Sequence, residues 1–286
     1  MNQFKTLALL SVLSALLISI SYYTLGGTGG IVIGIAIAAI TNLGSWFYSD
    51  KIALAAHQAQ PVTKAEAPEL YAMVEKLAQK ADIPVPGVYL LPTQAANAFA
   101  TGRDPEHAAV AVTQGIMQML SAEELEGVIA HELSHIINRD TLTQAVAATI
   151  AGAISFLAQM LQYSMWFGGM GNRDEDGPNP IALLATLFLA PMAATVIQLG
   201  ISRTREFAAD AGAAELTGNP RALASALQRL EASAKKMPMT GNPAYEPLMI
   251  MHAVPKQMFS GLFSTHPATD QRVERLLEIE KELAPA

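Results

Sequence analysis

Two histidines and a glutamate form a five-residue pattern that is typical of a zinc site. The run 131–135 reads His-Glu-Leu-Ser-His, and residues four apart on a helix share one face, so His131 and His135 can reach the same ion. Glu132 follows the first histidine, where its carboxylate can take a proton from a water molecule beside the metal. The spacing therefore predicts a metal site with an adjacent general base. On this motif alone, two half-exposed surface histidines remain an alternative.

A third ligand is needed to leave a tetrahedral zinc ion one open position for water. The chain has no cysteine, so histidine and carboxylate must supply the ligands. Glu206 is the candidate third ligand, and Asp210 follows it one helical turn later, where it can accept the free imidazole N–H of a ligand histidine. Glu206 could instead pair with Arg203 or Arg205, but the histidine motif favours the metal-binding interpretation.

The elements that carry these residues follow from capping signals and periodicity. Ser121 and Glu124 form a capping box, which predicts a helix from Ser121 to about Asn138. Further helices are predicted over 66–82, 202–216, 220–236 and from about 268 onward. Short apolar runs predict three strands, over 88–91, 97–100 and 108–112. The expected fold class is α+β, mainly helical, with membrane helices and a small β-sheet in the soluble part that carries the zinc motif.

Long uncharged stretches indicate membrane segments. No Asp, Glu, Lys or Arg occurs in 6–49, 141–172 or 177–202. Residues 6–25 and 31–49, separated by a glycine-rich turn at 26–30, are each long enough to span a bilayer and predict a helical hairpin. A cleaved signal peptide is the alternative for the first of them. Residues 142–165 and 181–201 form a second candidate pair, which could instead be buried or half-embedded helices.

The charges that flank these stretches predict an orientation. Basic residues lie at one end of the apolar segments and the acidic loop 172–180 lies at the other. The basic ends are Lys5, Lys51, Arg139, Arg203 and Arg205. By the positive-inside rule, the termini and the soluble part face the cytoplasm. The expected divisions are an N-terminal hairpin (1–50), two soluble parts that carry the zinc motif and the candidate third ligand (51–140 and 203–286), and a second apolar hairpin between them (141–202).

The overall charge and the motif content exclude two classes of partner. The formal net charge is −7, which provides no basic surface for a nucleic acid. The sequence contains no Walker-type phosphate loop, so we expect no bound nucleotide. The expected partners are protein substrates and the lipid bilayer.

Three motifs resemble those of the HtpX membrane metalloproteases, a gluzincin family related to the CAAX prenyl proteases. They are the histidine motif with Asn-Arg-Asp at 138–140, Arg-Thr-Arg-Glu-Phe-Ala-Ala-Asp at 203–210, and Phe-Ser-Thr-His-Pro at 263–267. The resemblance covers nearly the whole chain. It implies one Zn²⁺ per chain, held by His131, His135 and Glu206, with Glu132 as the general base.

The same resemblance implies roles for residues outside the zinc motifs. His266 and Arg272 are expected to stabilise the oxyanion, although a His-Pro before a helix is often only a cap. Residues Asn97, Ala98 and Phe99 are similar to the edge strand on which gluzincins lay their substrate. An exposed strand edge offers backbone groups to an extended peptide, which permits a broad choice of sequence. An ordinary sheet edge is the alternative.

These expectations combine into one function. We expect a zinc-dependent endopeptidase of the bacterial cytoplasmic (inner) membrane that cleaves misfolded or flexible proteins in quality control and stress response. The alternatives are a CAAX-type processing protease with a narrow target and a non-catalytic membrane scaffold with a structural zinc site. The methionine-rich segment 237–264 also has two interpretations. It could form a flexible lid over the cleft, or it could pack as a loop against the core or the bilayer.

Overall fold

The structure, a computed structural model, describes residues 2–25, 27–151, 154, 203–237, 248–251 and 267–283. The helices are α1 (Asn2–Leu25), α2 (Gly27–Ala56), α3 (Pro68–Lys80), α4 (Gln114–Met119), α5 (Ala122–Ile137), α6 (Thr141–Ala151), α7 (Arg203–Thr217), α8 (Pro220–Lys236) and α9 (Thr269–Leu283). The strands are β1 (Gln60–Pro61), β2 (Gly87–Leu91), β3 (Ala98–Gly102) and β4 (Ala108–Thr113). A mainly helical α+β fold is thereby confirmed.

The helices α1 and α2 pack against each other as an antiparallel pair, with glycines of α2 at the contact. A Cβ atom at Gly30 would lie 2.5 Å from the carbonyl oxygen of Ser21, and one at Gly34 would lie 2.8 Å from the Cα of Ile18. Small residues at this spacing let two helices approach closely. Residues 27–30 are helical, so the turn predicted at 26–30 is wrong for those four residues. Gly30 serves the contact between the helices, whereas a Cβ atom at Gly27 or Gly29 would meet nothing within 4 Å.

One of the described helices, α2, is long and apolar enough to cross a membrane. Large apolar side chains such as Val32, Ile40 and Leu43 are exposed along it, as expected for a surface that faces lipid. The apolar stretch of α1, Thr6–Ser19, is shorter. Most of the predicted second hairpin, residues 152–153 and 155–202, lies outside the described residues.

The small sheet has the strand order β1-β2-β4-β3. Strands β2 and β4 are parallel, whereas β3 pairs antiparallel with β4 and lies at one edge. The three predicted strands are confirmed. The two-residue strand β1 was not predicted, because a pair of residues is too short to show an alternating pattern.

The sheet separates two apolar cores because successive side chains on a strand point to opposite faces. Ala98 and Ala100 of β3 face a core shared with helices of the soluble parts 51–140 and 203–286, including α5. Phe99, between them, faces a second core that contains residues of α1, α2 and α6. The hydroxyls of Thr6 and Thr143 lie 2.9 Å apart and join α1 to α6. The apolar N-terminal helices therefore pack directly on the back of the sheet whose front covers the histidine helix.

Candidate metal centre

The helix α5 begins as the sequence predicts and carries the histidine motif into the interior. The Ser121 hydroxyl accepts the backbone N–H of Glu124, and the Glu124 carboxylate accepts the N–H of Ser121, which completes the capping box. The motif residues are almost fully buried, with exposed fractions of 1% for His131, 2% for Glu132 and 4% for His135. Half-exposed surface histidines are therefore excluded, because these side chains face the protein interior.

Small residues on α7 bring Glu206 and Asp210 against α5. Ala209 and Ala213 are buried on the face of α7 that carries the two acids, and a Cβ atom at Gly212 would lie 2.7 Å from the Ser134 hydroxyl of α5. A larger side chain at this glycine would push the two helices apart. The close approach leaves Glu206 1% exposed and Asp210 fully buried.

The His131, His135 and Glu206 side chains converge as a possible metal-binding group, with one ligand atom of each within 4.8 Å of the others. The Nε2 atoms of His131 and His135 lie 3.7 and 3.5 Å from the two carboxylate oxygens of Glu206. Ligand distances of 2.0–2.2 Å to zinc imply separations of roughly 3.3–3.6 Å between the corners of a tetrahedron. The three groups therefore fit a metal ion of this size.

The outer nitrogen of His131 is held by a carboxylate, as the sequence predicts for Asp210. Its Nδ1 lies 3.0 Å from Oδ1 of Asp210. Arg272 of α9 donates to both oxygens of the same carboxylate, from Nε at 2.8 Å and from Nη2 at 2.7 Å. This two-pronged contact fixes the carboxylate, which in turn fixes the imidazole ring.

The outer nitrogen of His135 has a carboxylate of its own, Asp140, which the sequence reasoning missed. Its Nδ1 lies 3.2 Å from Oδ2 of Asp140, and Nη1 of Arg205 lies 3.6 Å from the other oxygen. The chain reaches this position because Arg139 adopts a left-handed φ of 56° directly after α5. The Arg139 N–H then bonds the Ile136 carbonyl, and the Asp140 N–H bonds the His135 carbonyl, which is the Schellman ending of a helix. The sequence signal that could have identified Asp140 is an acidic residue five positions after His135.

The structure thus shows two matched arrangements around the centre. In each, a ligand histidine contacts a carboxylate, and that carboxylate contacts an arginine of a different helix or turn. Arg205 is only 8% exposed, so it balances buried charge and contributes little to the basic surface that the orientation argument invoked. Arg139 and Arg203 are exposed and keep that role.

The surroundings shift the pKa of both Glu132 and His131. Burial is the main cause that raises the pKa of Glu132, and the Glu206 carboxylate adds to it, whereas the two imidazoles and a hydrogen bond from the Ala100 N–H lower it. Burial and the Arg272 cation lower the pKa of His131, but Asp210 and Glu206 outweigh them and raise it to about 9. The negative charges that favour a proton on His131 equally favour a metal cation, and the two compete for this ring.

The other predicted site residues have different outcomes. Arg272 lies in the centre, 2% exposed, whereas His266 lies outside the described residues. The Phe99 side chain is fully buried on the back of the sheet and contacts the ring of His57 at a centroid distance of 5.2 Å. Asn97 and Ala98 lie on the predicted edge, but the Asn97 side-chain amide and the Ala98 carbonyl are hydrogen-bonded to the chain's own segment 248–251.

Comparison with known proteins identifies the family. The model of peptidase family M48 matches residues 64–280, which include every residue of the centre. The chain belongs to peptidase family M48. Over 283 residues it is 66% identical to the protease HtpX homolog of Trichormus variabilis, with 99% of this chain and 98% of that protein covered. Over 280 residues it is 49% identical to the protease HtpX homolog of Pyrococcus furiosus, with 98% and 96% covered.

Among solved structures, the chain is similar to the crystal structure of S. mikatae Ste24p, with a TM-score of 0.47 and 19% identity. The match covers 85% of this chain and 57% of that one. The family match and the HtpX homologues confirm the resemblance seen in the sequence. The M48 chain is accordingly a metalloprotease and a membrane protein, and the non-catalytic scaffold is set aside.

Proposed function

We propose that this M48 protein is a zinc-dependent endopeptidase that cleaves misfolded or flexible proteins from the cytoplasmic side of a bacterial cytoplasmic membrane. The observation that carries the proposal is the buried triangle of His131, His135 and Glu206 with Glu132 on the same helix. Its histidine and carboxylate donors suit zinc, which prefers nitrogen and oxygen ligands in the absence of thiolates. We propose these three residues as the ligands of one Zn²⁺ per chain.

Bound zinc would polarise the scissile carbonyl and make water a stronger nucleophile. The chain's own contribution to the reaction is the movement of a proton. The Glu132 carboxylate accepts a proton from the attacking water and then passes it to the nitrogen of the leaving amine.

The arginines around the centre maintain its charge and geometry. Arg272 donates from two nitrogens to Asp210, while its third nitrogen lies 3.6 Å from Glu206. Its main task in the resting site is therefore to hold Asp210 against His131. The oxyanion roles of Arg272 and His266 stay predictions, and each role requires an N–H of that side chain to face the substrate once it is bound.

The packing of the sheet supports cleavage close to the membrane surface. The front of the sheet shares a core with the histidine helix, and its back shares a core with α1, α2 and α6. One layer of strands therefore separates the proposed reaction centre from apolar helices. We propose that the enzyme reaches membrane-proximal segments of its substrates, which fits quality control of membrane proteins under stress.

The direct test is hydrolysis of an unfolded reporter protein by the purified enzyme in detergent. We expect cleavage that stops when a chelator removes the metal and returns when zinc is added. The Glu132→Gln variant is the control for contaminating proteases, and it should be inactive. Cleavage that survives both treatments would contradict the proposal. Cleavage confined to a prenylated C-terminal peptide would favour the CAAX-type alternative instead.

A further inference from the structure

The outer edge of β3 carries another segment of the chain. Strand β3 pairs with β4 on one side only. The Asn97 carbonyl accepts the N–H of Thr113 at 3.0 Å, which directs Asn97 toward β4. Because neighbouring residues of an antiparallel strand direct their backbone groups to opposite sides, Ala98 and Ala100 face outward. These outward groups are the ones that an added peptide strand would use.

Three hydrogen bonds hold the segment Leu248–Met251 at this edge. The Ile250 N–H donates to the Ala98 carbonyl at 3.0 Å. The Asn97 amide donates from Nδ2 to the Met251 carbonyl at 2.9 Å, and its Oδ1 accepts the Met251 N–H at 3.3 Å. The segment thus occupies the Ala98 carbonyl, one of the backbone groups that an added substrate strand would use.

The occupied position lies next to the proposed general base. The Ala100 N–H is hydrogen-bonded to the Glu132 carboxylate. Ala98 is two residues earlier on the same strand, a distance of roughly 6.6–6.8 Å at the usual rise of a β-strand. A peptide that pairs with β3 at Ala100, near Glu132, would therefore contact Ile250 two residues away, at Ala98.

The side chains of the segment fill the space beside the strand. Leu248, Met249 and Ile250 are only 2–6% exposed, and they contact the two apolar cores. A second backbone has no room at Ala98 while these side chains stay in place. The described part of the methionine-rich segment, Leu248–Met251, therefore packs on the core, as one of the two interpretations of that segment predicts.

We propose that Leu248–Met251 is a built-in competitor that must leave the β3 edge before a peptide substrate can bind there. The inference rests on the proposed function, because it assumes that substrates bind along β3. A protein whose binding-competent form is only partly populated binds its ligand more weakly by that fraction. The covering segment thereby limits cleavage to peptides that compete well for the edge, which are apolar and extended like the segment itself.

Substitutions at Ile250 separate the covering contact from the rest of the site. Ile250→Pro removes the N–H that the Ala98 carbonyl accepts. Ile250→Asp keeps that N–H but places a charge in an apolar position. This variant replaces Ile250→Pro in the experiment if the proline variant fails to fold. Ile250→Val is the matched control, because it keeps both the N–H and an apolar side chain.

The experiment measures peptide binding in full-length protein that carries Glu132→Gln, so that hydrolysis does not interfere. The probe is a fluorescent peptide that contains Leu-Met-Ile-Met, and the readout is anisotropy. If the segment covers the edge nine-tenths of the time, Ile250→Pro and Ile250→Asp should tighten binding about tenfold relative to Ile250→Val. The same peptide with an N-methylated isoleucine should bind at least tenfold more weakly, because it cannot donate to Ala98.

Two results would overturn the inference: equal affinity in the proline, aspartate and valine variants, or equal affinity for the methylated and unmethylated peptides. Neither depends on catalysis. Failure of the proposed function would appear separately, as an absence of chelator-sensitive hydrolysis in the protein with an intact Glu132. Tighter peptide binding in the Ile250→Pro and Ile250→Asp variants, together with absent hydrolysis, would support the role of Leu248–Met251 as a competitor and contradict the protease function.

Discussion

The two carboxylates behind the ligand histidines should differ in importance, and the distances predict the order. Asp210 lies 3.0 Å from His131, is fully buried and accepts two bonds from Arg272. Asp140 lies 3.2 Å from His135 and has a more distant arginine, at 3.6 Å. We therefore expect Asp210→Asn to weaken zinc binding more than Asp140→Asn does.

The size of each effect follows from the loss of a charge that orients a ligand. Such changes weaken metal binding about 10- to 100-fold, or roughly 1.4–2.7 kcal/mol. We place Asp140→Asn near tenfold and Asp210→Asn near 100-fold. Asp210→Asn also leaves the Arg272 cation buried without its carboxylate, and breaking a buried pair costs about 3–5 kcal/mol of folding stability. Asn keeps one acceptor oxygen, so we expect the lower end of that range.

The assay is a competition for zinc between the purified protein and a coloured chelator, combined with thermal unfolding in the same detergent. Asp82→Asn is the matched control, because Asp82 is exposed and has a left-handed φ of 53° that asparagine tolerates. Its zinc affinity and midpoint temperature should equal those of the parent. The double variant Asp210→Asn with Arg272→Met should recover part of the stability but not the zinc affinity.

Three outcomes would refute this reasoning. Unchanged zinc affinity in both single variants would show that the carboxylates do not orient the histidines. A larger loss in Asp140→Asn than in Asp210→Asn would show that these distances do not set the order. A recovery of zinc affinity in the double variant would mean that the single substitution acted only through the uncompensated arginine.

The remaining predictions concern the base, the third ligand and the orientation. Glu132→Gln should keep about one zinc per chain, as measured by metal analysis, and its hydrolysis rate should fall about 10²–10⁴-fold because proton transfer is lost. A variant without bound zinc would instead identify Glu132 as a ligand. Glu206→Gln should weaken zinc binding in the chelator competition because it removes the negative ligand, and an unchanged affinity would place the third ligand elsewhere. In this Cys-free chain, Asp104→Cys should react with an impermeant thiol reagent from the cytoplasmic side of intact vesicles and Glu175→Cys from the opposite side. Labelling of Asp104→Cys from outside would reverse the predicted orientation.

The sequence alone determined the features that depend on neighbours within a few residues. Capping at Ser121 and the spacing of His131 and His135 are local, so the histidine helix and its paired ligands were predictable. The long uncharged stretch likewise predicted an apolar helix long enough to span a bilayer, and α2 has that length and composition. Glu206 and Asp210 were predictable only in combination with the histidine motif, because zinc chemistry demands a third ligand and a supported histidine.

The tertiary structure decided the contacts between residues that are distant in the chain. The residues next to Arg272 in the sequence do not indicate that its guanidinium donates to Asp210. This contact depends on how α9 packs against α7. The covering of Ala98 by Ile250 likewise joins two segments with no shared pattern. Asp140 is the instructive intermediate case. It lies only five residues from His135, yet its approach requires a left-handed Arg139, a conformation that a non-glycine residue rarely adopts and that the sequence does not signal.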